Sequence, residues 1–185
     1  MSEKIEKWNA AGKGGDGLKE YYLMYAVGER IIYSENGVCT VEKIAPLEMS
    51  GADDKLYYHL RPLVGSGVYF APVDTKAFMR PVMSREAAEA FIQSIPDIEP
   101  AVCRDNRFNH VDAFYKELFK LHTCEALVSI VKGLKDRMTD RRSKSSRAEA
   151  TMKRAKDMLH GELATALEIE IDQVEAYIAE KLGQR

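Results

Sequence analysis

The chain has 185 residues, 45% of them hydrophobic, and a formal net charge of −2, enough to bury a sizeable core as one domain or two small ones. No apolar stretch approaches the roughly 20 residues of a membrane-spanning helix, and the N-terminus lacks the charged-then-apolar layout of a secretory signal, so the sequence reads as cytoplasmic with no membrane partner. Cys39, Cys103 and Cys124 are odd in number without Cys-x-x-Cys spacing, and His59, His110, His122 and His160 are scattered, which argues against a disulfide framework and a metal site.

Residues 1–23 form a polar stretch crowded with Gly12, Gly14, Gly15 and Gly17 and without a sustained apolar period, and read as a flexible lead. From Val27 onward, short runs rich in β-branched and aromatic residues predict strands near 29–33, 38–48, 56–62, 67–71 and 77–80. Asn36-Gly37 offers the positive φ of a tight hairpin turn, residues 50–54 a looser polar turn, and Gly65-Ser66-Gly67 a third. Five short, closely connected strands over 24–82 suit a small, bent SH3-like or Tudor-like barrel. Tyr33, Tyr57, Tyr58, Tyr69 and Phe70 are expected chiefly in its core, with alternation turning some outward. An open barrel leaves an edge that can accept a strand from another protein.

Near residue 84 the period changes. Ser84 is a good N-cap, followed by Ala87, Ala88, Phe91, Ile92 and Ile95 on one helical face; Pro96 and Pro100 end that helix, and 96–107 reads as a linker or ordered crossing. Val111, Phe114, Tyr115, Leu118, Phe119 and Leu121 line a second helix, and Leu127, Ile130, Val131 and Leu134 follow a Thr123 cap. Ser146-x-x-Glu149 predicts the capping box of a long fourth helix, and Asp172-x-x-Glu175 that of a fifth. The expected architecture is α+β: a β-rich domain over 24–82 and a compact all-α domain over 83–185.

The net charge conceals a segregation. Residues 101–160 hold 14 Lys/Arg against 8 Asp/Glu, whereas 1–100 hold 11 against 15 and 161–185 hold 2 against 6. A local field of this kind attracts polyanions whatever the total. Residues 135–147, dense in cations and serines, read as an exposed basic loop, either a solvated face or a phosphate-binding one. No phosphate loop, His-Glu-x-x-His, Gly-x-Ser-x-Gly or paired-carboxylate signature is present, so an enzyme is not expected; a small hydrolase using Cys39 and His59 is the one catalytic alternative.

Tyr25-Ala-Val-Gly-Glu-Arg-Ile-Ile-Tyr33 with Asn36-Gly37-Val38, then Tyr57, Leu60, Gly65 and Ala71-Pro72, then Ala155-Lys-Asp-Met-Leu-His-Gly-Glu-Leu163, in that order, resemble the CarD family of bacterial RNA polymerase-binding regulators. The likeness spans about residues 25–182. It implies a Tudor-like domain that binds the polymerase β subunit by strand-edge pairing, and a helical domain that holds promoter DNA at the upstream edge of the transcription bubble. By position it places the polymerase contact on Leu47, Glu48 and Met49 with Phe70 on the neighbouring strand, where relatives carry arginines at the counterparts of Leu47 and Phe70. Many relatives also insert a tryptophan beside the opened base pair. Here that place falls near His110, followed by Asp112 and Ala113 where relatives carry arginines; Phe108 is the nearest exposed aromatic, and the lone Trp8 lies in the lead.

The resulting expectation is a non-enzymatic transcription regulator, without cofactor, metal or small-molecule substrate, that docks on polymerase and contacts mainly the phosphate backbone of promoter DNA. The DNA-facing residues would be Arg107, Phe108, His110, Lys116, Lys135, Arg137, Arg141, Arg142, Lys144 and Arg147. The alternative is a protein-interaction module that makes no DNA contact.

Overall fold

The computed structural model describes residues 6–10, 19–47, 55–105, 107–139 and 145–183. They form an α+β chain of two compact units that meet in sequence at Pro81 and Val82, with the turn Ser34–Gly37 grouped with the second.

Two short strands lie within residues 1–23, where the sequence predicts none. β1 (Glu6–Ala10) and β2 (Lys19–Leu23) pair antiparallel, with Trp8 opposite Tyr21 and Glu6 opposite Leu23. Each run is only five residues and neither alternates polar with apolar, so no period announces them.

β3 (Arg30–Tyr33), β4 (Val38–Ala45), β5 (Tyr57–Pro62), β6 (Tyr69–Pro72) and β7 (Met79–Pro81) form one antiparallel sheet in the order β6-β5-β4-β3-β7. Among the described residues β6 and β7 are not joined, so the sheet is open and a closed barrel is not formed. Its buried face follows the strand alternation: Ile31, Cys39, Val41, Tyr58, Leu60 and Ala71 pack with Tyr25. The Tyr58 hydroxyl accepts from the Met24 and Tyr25 amides (3.0 and 3.4 Å), fixing the segment that enters β3. A bulge between Val41 and Lys43 shifts the β4–β5 register and sets Lys43 opposite His59. Gly65 and Gly67 hold φ of +103° and +95° between β5 and β6, a conformation that costs an L side chain dearly.

The second unit carries α1 (Arg85–Ser94), α2 (Phe108–Phe119), α3 (Cys124–Arg137), α4 (Ser146–Leu167) and α5 (Val174–Gly183). Side-chain caps start three of them: the hydroxyls of Ser84, Thr123 and Ser145 accept from the amides of Ala87, Ala126 and Ala148. The α4 cap is thus Ser145, one residue before the expected Ser146. The box leading into α5 is Glu170 with Gln173 on a 3-10 turn, in place of Asp172 with Glu175. The apolar stripes converge on Ile92, Phe119, Ile130, Leu134, Leu159, Leu163, Leu167 and Val174. Leu121 is the exception: it lies past the end of α2 and is 57% exposed. Among the described residues no helix is long and apolar enough to cross a membrane.

The segment between α1 and α2 is an ordered crossing laid along α3. Lys132 Nζ donates to the carbonyls of Ile95, Pro96 and Ile98 (2.8, 3.1 and 2.6 Å), the ammonium closing the C-terminal end of α1. Ser129 Oγ donates to the Glu99 carbonyl at 2.7 Å, and its own carbonyl accepts from the Ala101 amide at 2.9 Å. Gly133 lets the strap approach this closely: a Cβ there would stand 2.0 Å from the Ala101 oxygen. Arg137 finishes the seam by donating to the Cys103 carbonyl at 3.1 Å and the Asp105 carbonyl at 3.4 Å.

Candidate functional site

In the strand unit the candidate surface is the β6 edge. Ala71 is fully buried, so alternation turns its neighbour Phe70 to the opposite face, where it is 50% exposed. Its ring meets the edge of His59 at 4.9 Å, and His59 Nε2 lies 3.4 Å from the Ala45 carbonyl. Lys43 completes that cross-strand row. On the core side Tyr69 leans on Tyr33 at 6.1 Å. Among the described residues β6 is hydrogen-bonded to β5 alone, which leaves its outer backbone open to a further strand up to Pro72, which has no N–H to offer. Leu63 and Val64, exposed in the loop before β6, extend the apolar character. Leu47 is half-buried beyond the end of β4 and does not share the Phe70 row; Glu48 and Met49 lie outside the described residues.

The suggested Cys39–His59 pair is not assembled. Cys39 is fully buried among Ile31, Val41 and Leu60, and burial pushes its thiol up to about 12, far from a nucleophilic thiolate at neutral pH. His59 alternates with the buried Tyr58 and Leu60 and faces the other side of the sheet.

In the helical unit the cations expected to meet DNA fall into distinct groups. Arg141, Arg142 and Lys144 lie outside the described residues, and of Phe108 the structure describes only its place as the first residue of α2. Arg147 is exposed on the first turn of α4. Lys116 is ion-paired one turn away with Asp112 at 3.0 Å, about 13 Å along α2 from Arg107. Lys135 is exposed on α3 with no partner among the described residues.

Arg107, His110 and Arg137 converge on one residue, Asp105. Arg107 donates to its carboxylate through Nε (3.2 Å to each oxygen), Nη2 (2.7 Å) and the backbone amide (2.8 Å). His110 Nδ1 lies 2.8 Å from Oδ2 and 3.0 Å from the Arg107 guanidinium. Arg137 grips the same residue from behind, through its carbonyl. Hydrogen bonds from the Arg107 guanidinium and amide, with a smaller contribution from His110, hold the Asp105 carboxyl at about 2. Arg137, expected as a DNA contact, donates to carbonyls of the strap. Arg104, exposed between the two carbonyls that Arg137 holds, has no partner among the described residues and belongs to this cationic face. Its neighbours on either side in the strap, Cys103 and Asp105, are the residues whose carbonyls Arg137 holds.

The chain matches no protein-family model and no curated protein.

Proposed function

We propose that the chain is a CarD-like transcription regulator of the cytoplasm, without enzymatic activity, that binds the β subunit of bacterial RNA polymerase through the β6 edge and presents the cationic face of its helical unit to promoter DNA. In this reading the five-stranded unit is an open SH3-like or Tudor-like module that adds one strand from the polymerase to its free edge. The observation that carries it is the outward Phe70 on a strand whose outer side is unpaired among the described residues, in a chain whose motifs resemble that family in order and spacing. The relatives' arginines are replaced by Leu47 and Phe70, so the contact is apolar and aromatic, with Phe70 as its anchor.

Tethering makes the weak DNA surface useful. A few phosphate contacts give affinities on the order of 10⁻⁴ to 10⁻⁶ M for any sequence, whereas a docked module faces its DNA at an effective concentration on the order of millimolar. Contacts made only on polymerase stabilise or retune the open promoter complex without demanding a recognition sequence. A second reading, an interaction module that leaves DNA untouched, is favoured by one observation: Arg107, Lys116 and Arg137 are all held by groups of the chain itself.

Retention of the chain on purified β-subunit fragments tests the docking. Wild type should be retained and Phe70→Asp, at a half-exposed position, should fold yet be lost. Equal retention of the two, or none for wild type, refutes it. Footprinting of promoter DNA with polymerase, in the presence and absence of the chain, separates the regulator from the pure interaction module, which leaves the pattern unaltered.

A further inference from the structure

The guanidinium of Arg107 is 72% exposed and the ring of His110 54%, so both can be reached by a polyanion, yet both already point at the carboxylate of Asp105. The arrangement is not a mobile surface pair. Asp105 is anchored through its backbone carbonyl by Arg137, and its carboxylate takes the amide at the head of α2 together with both side chains. A guanidinium that gives two parallel hydrogen bonds to a carboxylate has spent the geometry it would use on a phosphate. A phosphate arriving here has to displace an anion of similar hydrogen-bonding character and accept its repulsion nearby. The exchange yields little, whereas Arg104 and Lys135 have no such occupant among the described residues.

We infer that Asp105 is a built-in competitor for DNA phosphate, a residue that limits how many phosphates the head of α2 engages. This deepens the nucleic-acid reading above and rests on it. On bare DNA the face is attenuated by its own carboxylate; on polymerase, where DNA is held close, phosphate can exchange with it. Asp105 thereby ties DNA contact to docking and keeps the free chain from being captured by bulk DNA.

The decisive variant is Asp105→Asn, which removes the charge but keeps an oxygen for the Arg107 amide, Asn accepting the same hydrogen bond from two residues on as Asp does. Binding of a short labelled duplex is followed by fluorescence anisotropy between about 50 and 200 mM salt, with matching far-ultraviolet circular dichroism as the folding control. Releasing Arg107 adds about one phosphate contact: the variant should bind severalfold tighter at low salt, with a slope of log K against log salt steeper by about 0.9, so that its advantage shrinks about 3.5-fold across the range. Asp136→Asn makes the same charge change on the exposed face of α3 and should leave the slope as in wild type. In an Arg107→Gln background the gain from Asp105→Asn should vanish, since the effect runs through that guanidinium. If wild type binds but Asp105→Asn binds no tighter, or gains no more than Asp136→Asn, or keeps its gain without Arg107, the competitor role is wrong while DNA binding stands. If neither wild type nor Asp105→Asn binds duplex at the lowest salt, the nucleic-acid reading and this inference fall together.

Discussion

Gly133→Ala isolates the seam that seats the 96–105 strap on α3. In an exposed helix interior this change would stabilise by about 1 kcal/mol through propensity alone. At Gly133 the new methyl would stand 2.0 Å from the Ala101 oxygen and 2.8 Å from its carbonyl carbon, a backbone obstacle that no rotamer change relieves. The strap has to retreat by about 1 Å or more, overpacking that costs about 3 kcal/mol. Retreat also strains the Ala101–Ser129 backbone hydrogen bond, worth about 1 kcal/mol. Set against the propensity gain, the net loss is about 2–3 kcal/mol. With a urea dependence of about 2 kcal/mol per molar, the midpoint followed by far-ultraviolet circular dichroism should fall by about 1–1.5 M. Gly183→Ala is the matched control: its methyl meets nothing within 4 Å at the end of α5, and its midpoint should stay put or rise slightly. A Gly133→Ala protein as stable as wild type, or more so, would refute the close seating of the strap and with it the route by which Arg137 fixes Asp105.

Glu162, 2% exposed on α4, accepts from the Met83 amide at 3.3 Å and from the Cys124 thiol at 3.2 Å; Glu162→Ala removes both hydrogen bonds, opens a cavity and should cost about 3 kcal/mol in the same urea assay. Thiol labelling of the native protein at pH 8 should modify Cys103, which is half-buried, and spare Cys39 and Cys124, which are buried, with all three reacting after denaturation; rapid native labelling of Cys39 would contradict its place in the sheet core. Asp105 sits at about 2 in the folded chain against a usual 3.8, so it adds stability above about pH 4 that is lost as pH falls toward 2; wild type should therefore lose stability more steeply than Asp105→Asn across that window, and parallel curves would show that the carboxylate is not held by Arg107.

The period change near residue 84 and the inward stripes of the helices were legible in the sequence, because such stripes are a local consequence of burying one side of an element. Ile130, Leu134, Leu159 and Leu163 follow that logic directly, whereas of the five aromatics expected chiefly in the strand core only Tyr58 is buried and Phe70 is half exposed. The β1–β2 hairpin was not legible: its short mixed runs carry no amphipathic signal, and only the cross-strand pairing defines it. Gly133 was equally mute, since a glycine inside a helix looks like a small defect until the backbone it admits is known.

The cationic face marks where counting charges stops being informative. A surplus of six positive charges over 101–160 describes composition, but a polyanion responds to cations that are exposed and uncommitted. Lys132 and Arg137 spend their hydrogen bonds on backbone carbonyls of the strap, Lys116 and Arg107 on carboxylates of their own helix and its approach, whereas Arg104 and Lys135 remain without partners among the described residues. Of these commitments Lys116 with Asp112, one turn of helix, and Arg107 with Asp105, two residues apart, are local in the chain. Those of Lys132 and Arg137 arise because residues 95–105 lie against α3, a contact between segments more than 30 residues apart. On the proposed function, the strength of the DNA contact would be set in part by how the strap is seated, and a change far from any phosphate, at Gly133, should alter it as the loss of an arginine would.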